Sequence, residues 1–323
     1  MSIFRDFNAA AFWAGITAFV WYSFGGVPLH IAVSSELGLS TAASSSWMFI
    51  VWMTGAVASI ALSLHYLQPI PITWTIPGLI YLGTLGSHYS FAEMIGANLI
   101  AGILIIVLGV LGIGARIMAW LPLPILMGMF AGSIFGYMTR MVSATVTDTV
   151  IAGSTVLAFL IGRAINSQKV PSLGLAMVVG GIAVAMTDRI VDVPVIWALP
   201  AIAVPDMEFT VSAFVGVTLP MVVLAMGLGN VQGLGFMMAQ GYRVAVTPIT
   251  IIVGMSSVVN ALFGGHAAIV ARTGVAILAA TEAGPKETRY LGNLIAAALT
   301  VLLAFAAVPV MSLVSILPKA YIS

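Results

Sequence analysis

The chain has 323 residues, of which 61% are hydrophobic and only 7% are charged, and its formal net charge is +1. This composition excludes a water-soluble domain, because such a domain needs polar side chains to cover its exterior. The small net charge gives no signal for nucleic-acid binding, and the lack of cysteine excludes disulfides and thiolate metal sites. The sequence therefore predicts an all-α polytopic protein embedded in the lipid bilayer.

Long stretches without charge predict about eleven apolar segments, most of them long enough for the roughly 20 residues that cross the hydrocarbon core. The N-terminus lacks the pattern of a cleavable signal, so the first segment is expected to begin there directly. Turn-forming stretches such as GSHYS, NSQKVPS and PDME separate several segments. The predicted segments are 9–32, 43–64, 70–85, 92–113, 120–139, 145–165, 172–188, 210–238, 246–262, 266–281 and 290–312.

The basic residues between the segments predict the orientation of the chain. If the N-terminus is cytoplasmic, the opposite side carries only Arg140, Arg189 and Lys319, while the cytoplasmic side carries Arg5, Arg116, Arg163, Lys169, Arg243, Lys286 and Arg289. Cytoplasmic loops are enriched in Lys and Arg. We therefore expect a cytoplasmic N-terminus and an external loop at 191–208.

The two halves of the chain resemble each other weakly. A shift of 196 positions aligns Gly78 with Gly274, Gly96 with Gly292, and Leu121-Pro122 with Leu317-Pro318, and a shift of 195 aligns the sequence Asn-Leu-Ile-Ala at 98–101 with that at 293–296. Some matches between small and apolar residues arise by chance in such a composition. Seven segments precede the second half, so it starts on the opposite side of the membrane and the repeat is inverted. Inverted repeats with broken helices are typical of secondary transporters.

The repeat predicts the domain organisation. The first repeat spans 1–190, the external loop spans 191–208, and the second repeat spans 209–323. Segments three and ten are short and interrupted by Pro and Gly, which predicts two half-helices whose free backbone groups face a cavity. Three more segments follow Pro122 but only five residues follow Pro318, so the second repeat is expected to be truncated.

Several motifs resemble those of the BenE-type benzoate/proton symporters. They are PIPITWTIPG at 69–78, GLGNVQGLGFMMAQGY at 227–242, TPITIIVG at 247–254, FGGHA at 263–267 and EAGPKETRY at 282–290. The resemblance implies the 7+7 inverted-repeat fold shared with nucleobase and sulfate permease-type transporters. On this basis the core domain would contain 1–114 and segments eight to eleven, and the gate domain would contain 115–190.

The resemblance also implies a function. It implies proton-coupled import of a small organic anion, such as benzoate or a similar aromatic carboxylate, by elevator or rocking alternating access. It further implies the inner membrane of a prokaryote, no cofactor, and a homodimer. Two departures leave the substrate open: Arg272-Thr273 resembles sulfate permease-type carriers, and His30 stands where family members often have Gln. The alternative is therefore an inorganic anion exchanger or an anion channel.

Arg272 carries the physical argument for an anion. It lies two residues before Gly274, near the N-terminal end of the second half-helix, where the helix presents partial positive charge. An arginine at the bilayer centre costs at least about 2.5 kcal/mol on the insertion scale, and a carboxylate would accept two hydrogen bonds from its fork. The alternative is permanent pairing with an acid or carbonyls of the protein.

Further candidates surround this point. Asn230 and Gln232 interrupt a Gly-rich stretch, which predicts an unwound turn at the cavity, although glycines there also suit helix packing. Trp74 either stacks on an aromatic substrate or lies at the membrane interface, and Pro77 begins the first half-helix. The predicted substrate-binding residues are Phe24, Trp74, Thr75, Pro77, Gly78, Asn230, Gln232, His266, Arg272 and Thr273.

Two histidines, His266 and His30, are candidates for the coupling proton, because imidazole titrates near neutral pH. For each, the alternative is a packing hydrogen bond. A carboxylate, which related nucleobase carriers use on segment eight, does not occur between Glu208 and Glu282. The chain also lacks metalloprotease and hydrolase motifs, so it is predicted not to be an enzyme and to bind no metal.

Overall fold

The structure, a computed structural model, describes residues 7–112, 123–165, 172–187 and 195–315. These residues form the helices α1 (Ala9–Glu36), α2 (Thr41–Tyr66), α3 (Ile76–Thr84), α4 (Phe91–Val110), α5 (Leu123–Thr147), α6 (Ser154–Ile165), α7 (Ser172–Met186), α8 (Val211–Ala239), α9 (Val246–Leu262), α10 (Arg272–Leu278), α11 (Tyr290–Phe305) and α12 (Ala307–Ser315). Two strands, β1 (Ile72–Trp74) and β2 (Ala268–Val270), precede α3 and α10.

Within the described ranges, five helices are long and apolar enough to cross a membrane. They are α1, α2, α4, α8 and the stretch Lys286–Phe305 that contains α11. The helices Met138–Thr147 and Thr149–Ile165 form a further span if the pair, bent by 117°, is counted as one. The chain is thus a mostly helical, polytopic membrane protein. Several of the eleven predicted segments are shorter helices, and α3 and α10 are too short to cross alone.

The predicted half-helices each follow a strand, so the prediction of an all-α fold is wrong at segments three and ten. β1 leads into α3 and β2 into α10, and the two strands pair antiparallel. An extended chain inside a membrane protein needs partners for its backbone groups. The two strands supply those partners to each other, which is why sheet and half-helices occur together.

The strand register follows the 196-residue shift found in the sequence. Thr73 pairs with Ile269, and the same shift of 196 positions relates these two residues. The neighbouring pairs are exchanged by the shift: they are Ile72 with Val270 and Trp74 with Ala268. A local twofold relation therefore passes through the middle of the sheet. Four of the repeat positions lie outside the described residues: Leu121, Pro122, Leu317 and Pro318.

Hydrogen bonds flanking the sheet obey the same relation. The amide of Thr75 donates to the carbonyl of Ala267 at 3.0 Å, and the amide of Ala271 donates to the carbonyl of Pro71 at 2.9 Å. Serine hydroxyls on two neighbouring helices also act alike. Ser59 on α2 accepts the amide of Ile72 at 2.7 Å, and Ser257 on α9 accepts the amide of Ala268 at 2.9 Å. The strand edges are therefore satisfied inside the protein.

Helix α8 remains helical through the Gly-rich stretch, so the predicted unwound turn is wrong. Phe214–Thr218 and Leu224–Val231 instead form wider π-helical turns, which are frequent at functional sites. The glycines allow close packing on β2. A Cβ at Gly233 would lie 2.6 Å from the carbonyl oxygen of Val270, and one at Gly229 would overlap Ile269.

The chain divides into two compact units. The first contains Met1–Phe130 and Ala198–Val308, and the second contains Ala131–Trp197 and Pro309–Ser323. In the first, α4 packs on α9 and α11 packs on α1 and α2. Small residues allow these close contacts: a Cβ at Gly254 of α9 would lie 2.7 Å from the amide nitrogen of Ile106. In the second, α6 packs on α7.

Candidate functional site

A cavity of about 250 Å³ lies within the first unit, beside the junctions of β1 with α3 and of β2 with α10. Helices α1 and α8 supply other parts of its wall. The lining is largely aromatic and apolar, with a few polar groups. It includes Trp21, Tyr22, Gly26, Thr73, Trp74, Ile76, Pro77, Met127, Leu228, Gln232, Ile269, Ala271, Arg272 and Thr273.

Arg272 brings a positive charge to this lining. Its Nη1 donates a hydrogen bond to Oε1 of Gln232 at 3.0 Å, and its side chain is exposed to the cavity. Within the described ranges it has no acidic partner. Gln232 is neutral and therefore does not offset the positive charge of the guanidinium, and among the described residues it engages one of the five N–H donors.

The two half-helices differ at their N-terminal ends. Thr75 caps α3, because its hydroxyl accepts the amide of Gly78 at 3.2 Å, and Pro77 has no amide to satisfy. Ala271, the counterpart of Thr75, gives α10 no side-chain cap. The first intrahelical bond of α10 runs from the amide of Val275 to the carbonyl of Ala271, so the preceding amides have no intrahelical acceptor. Arg272 is therefore the first residue of a helix whose N-terminal end has no side-chain cap.

Five of the predicted substrate-binding residues line the cavity together. They are Trp74, Pro77, Gln232, Arg272 and Thr273. Trp74 presents an aromatic surface, while Gln232, Arg272 and Thr273 present hydrogen-bonding groups. An apolar cleft with a few convergent polar groups is the usual form of a small-molecule site.

Other predicted residues lie behind the cavity wall. Thr75 and Gly78 are buried in the first turn of α3. Asn230 is buried, and its Oδ1 accepts the amide of Val270 at 2.8 Å, so it holds β2 against α8. Phe24 lies in α1, but its side chain falls outside the described part of the chain.

His266 is fully buried and both ring nitrogens are engaged. Nε1 of Trp47, which can only donate, bonds Nδ1 at 3.0 Å, and Nε2 lies 3.2 Å from the carbonyl of Thr75. These contacts assign a neutral ring that carries its proton on Nε2. His266 thereby ties α2 to the residue that caps α3, which is the packing role that the sequence left open as the alternative.

His30 is buried in a cluster of aromatic rings. Its Nδ1 lies 3.2 Å from the carbonyl of Gly26, and among the described residues its Nε2 has no hydrogen-bond partner. Its ring centroid lies 4.2 Å from that of Trp74. His30 therefore stands next to the cavity wall without lining the cavity.

Of α1 only Phe24 was predicted to bind substrate, and the three residues of this helix that line the cavity were not predicted. Trp21, Tyr22 and Gly26 line the cavity, and Gly26 makes room for Trp74, since a Cβ there would lie 2.7 Å from Cζ2 of Trp74. The sequence of α1 shows no signal that separates this face from its other apolar faces. By contrast, Ile76 could have been found from the repeat, because it is the counterpart of Arg272 under the 196-residue shift.

Comparison of the sequence with known proteins identifies a family and two relatives that match the chain. The family model described as "Benzoate membrane transport protein" (BenE) matches residues 5–323. The chain is 28% identical over 262 residues to "Inner membrane protein YdcO" of Escherichia coli (strain K12). The match covers 80% of this chain and 66%, just under two thirds, of that protein. It is 25% identical over 319 residues to "Benzoate membrane transport protein" of Acinetobacter baylyi, which covers 98% of this chain and 80% of that protein.

A solved structure shares the fold. The transmembrane domain of a cyanobacterium bicarbonate transporter, BicA, matches with a TM-score of 0.60 over 97% of this chain and 87% of that chain. The sequence identity is 17%, so this likeness concerns the fold alone.

Proposed function

The chain belongs to the benzoate membrane transport protein family, and from this premise we propose that it imports benzoate or a similar aromatic carboxylate together with a proton. Membership in a membrane transport family agrees with the prediction that the chain is a transporter and not an enzyme. The identity of the substrate, the coupled proton and the alternating-access mechanism are the parts that we propose.

The observation that carries the proposal is a cation in an aromatic cavity, with no acidic partner in the part of the chain that the structure describes. Arg272 bonds only the neutral Gln232 within the described ranges, while Trp21, Tyr22 and Trp74 supply aromatic wall. An engineered cavity of roughly 150 Å³ binds benzene. A cavity of about 250 Å³ therefore has room for one ring and a carboxylate.

The chemistry of the wall suggests how such a substrate would lie. The carboxylate would accept hydrogen bonds from the fork of Arg272, which matches carboxylate geometry. The hydroxyl of Thr273, the next residue in the wall, would be a further donor. The ring would contact Trp74, because aromatic pairs gain about 0.5 to 1.5 kcal/mol beyond area burial.

Alternating access would follow from movement of a core domain, which contains 1–114 and segments eight to eleven, against a gate domain that contains 115–190. Three observations support this proposal: the local twofold relation at the sheet, the division of the chain into two compact units, and the fold shared with a transporter domain. A 7+7 inverted repeat would place the cavity near the bilayer midplane. The cytoplasmic N-terminus in a prokaryotic inner membrane and the homodimer belong to the same proposal.

For the coupling proton, His30 and His266 are the candidates. A proton on Nδ1 of His266 would displace the bond from Trp47. Nε2 of His30 has no bond to lose among the described residues. We therefore expect His30 to be the better placed of the two.

Uptake into proteoliposomes tests the transport proposal. With an imposed inward proton gradient, radiolabelled benzoate should accumulate above its equilibrium concentration, and dissipating the gradient should abolish the accumulation. The alternative, an anion exchanger of the sulfate permease type, is favoured by the Arg272-Thr273 pair. An exchanger would take up label only against an internal anion, and a channel would show no accumulation driven by protons.

A further inference from the structure

The contact between Arg272 and Gln232 is held by backbone packing on both sides. Gln232 begins the last α-helical part of α8, directly after the π-helical segment Leu224–Val231. The neighbouring Asn230 accepts the amide of Val270, and Gly233 lies against the carbonyl of Val270. Arg272 follows β2 by two residues. Both side chains therefore line the same cavity, and the packing of α8 on β2 fixes their relative position.

The chemistry of the pair is asymmetric. An amide oxygen accepts a hydrogen bond but carries no charge, so it can orient a guanidinium without neutralising it. A carboxylate at the same place would satisfy the fork of Arg272 and cancel its charge. The site would then hold an internal competitor for any anionic substrate.

We propose that Gln232 is a positioning residue, which directs the Arg272 guanidinium into the cavity while leaving its charge available to a carboxylate. This inference rests on the proposed function and names the residue that makes the site select an anionic aromatic over a neutral one of the same shape. Gln232 acts through Arg272, by one hydrogen bond to Nη1, and the remaining donors of the fork face the substrate.

Two substitutions at position 232 distinguish loss of the hydrogen bond that orients Arg272 from addition of a negative charge beside it. Binding of radiolabelled benzoate to the full chain in lipid nanodiscs gives Kd, and competition by benzamide, a neutral aromatic of similar shape, gives the affinity for an uncharged ligand. Gln232→Glu should weaken benzoate binding by at least about tenfold, because an opposed like charge costs several kcal/mol, and should leave benzamide binding unchanged. Gln232→Leu should weaken benzoate binding by roughly three- to tenfold, the value of one net hydrogen bond.

The matched control is Gln240→Glu, which adds the same charge just beyond the end of α8 and outside the cavity lining. It should leave both affinities unchanged. Equal weakening of benzoate and benzamide in the Gln232→Glu variant would assign Gln232 a merely structural role and overturn the inference. Wild-type affinity for benzoate in the Gln232→Leu variant would overturn it as well.

A measurement without substrate separates this inference from the proposed function. Phenylglyoxal modifies arginine, and mass spectrometry of the peptide that contains Arg272 gives its rate. Gln232→Glu should slow the modification because a carboxylate partner stabilises the charged guanidinium, whereas Gln240→Glu should not. An unchanged rate in Gln232→Glu contradicts the contact. A slowed rate with no benzoate binding by the wild type contradicts the proposed function and leaves the role of Gln232 standing.

Discussion

Replacing Arg272 with glutamine removes the positive charge from the cavity and keeps a polar side chain of intermediate length. Because Arg272 is exposed to the cavity and among the described residues bonds only the side chain of Gln232, the variant should fold as the wild type does. We expect it to lose affinity for benzoate and to keep its unfolding temperature.

The expected rise in the Kd for benzoate follows from the hydrogen bonds that its carboxylate would form with Arg272. A hydrogen bond to a charged group contributes about 1.5 to 3 kcal/mol, and the fork can form two with one carboxylate. The lower value applies to each bond, because an exposed guanidinium is partly screened by solvent. The sum is about 3 kcal/mol, which corresponds to a rise in Kd of roughly 150-fold at 1.4 kcal/mol per factor of ten. Arg272→Lys should fall in between, since an ammonium lacks the fork.

Arg289 is the matched control because it is an arginine with a structural role. It is 7% exposed, and it donates from Nε to the carbonyl of Gly284 at 2.8 Å and from Nη1 to the carbonyl of Ala279 at 2.7 Å. The bond to Ala279 satisfies a carbonyl at the C-terminal end of α10, where a cation is favourable, and the bond to Gly284 holds the turn that follows. Arg289→Gln should therefore lower the unfolding temperature and leave the Kd of the folded fraction nearly unchanged.

Equilibrium binding of benzoate to each purified variant in nanodiscs, combined with thermal unfolding, gives both quantities. A Kd for Arg272→Gln within threefold of the wild-type value would refute the assignment of Arg272 to the anion. A fall in unfolding temperature as large as that of Arg289→Gln would show that Arg272 is structural instead.

Three further substitutions test other parts of the molecule. Trp74→Leu should raise the Kd for benzoate by roughly 2- to 10-fold, the value of an aromatic pair, and change the Kd for cyclohexanecarboxylate less; equal changes for both ligands would exclude stacking. His266→Phe should reduce the free energy of unfolding by about 1 to 3 kcal/mol, because it leaves the buried Nε1 of Trp47 without its acceptor, while the carbonyl of Thr75 keeps the amide of Leu79 as a donor; an unchanged thermal transition would contradict this role. Gly254→Ala should cost about 1 to 3 kcal/mol by overpacking α9 against α4. Gly235→Ala, whose added Cβ would meet no atom of another described element within 4 Å, should be neutral or stabilising in the same unfolding measurement.

Much of the site could be predicted from residues that break the pattern of their segment. Arg272 is a charge in an apolar run, and Pro77 and Gly78 interrupt a short apolar segment. Such interruptions are costly in lipid, so they mark places where the chain lies against protein or a cavity. The family resemblance of FGGHA and the neighbouring motifs, which the match over residues 5–323 confirms, rests on the same interrupted segments.

The partners of polar side chains could not be predicted in this way. Asn230 and His266 are as polar as Gln232, yet the structure places Asn230 on the amide of Val270 and His266 between Trp47 and Thr75. Which polar group serves packing and which faces the cavity depends on contacts between residues that are 40 to 219 positions apart. The shift of 196 residues predicted the counterparts across the sheet, but not that extended strands would join them.

The sequence by itself determined that the chain is a membrane protein of a recognisable transport family, with two interrupted segments and an arginine at one of them. Only the tertiary structure decided that α1 supplies Trp21, Tyr22 and Gly26 to the cavity and that Gln232 meets Arg272. In a soluble helix, polar residues mark the face that points to water. In a membrane helix the faces toward lipid and toward protein are both apolar. Hydropathy therefore does not show which face of α1 points to the cavity, because packing between helices determines it.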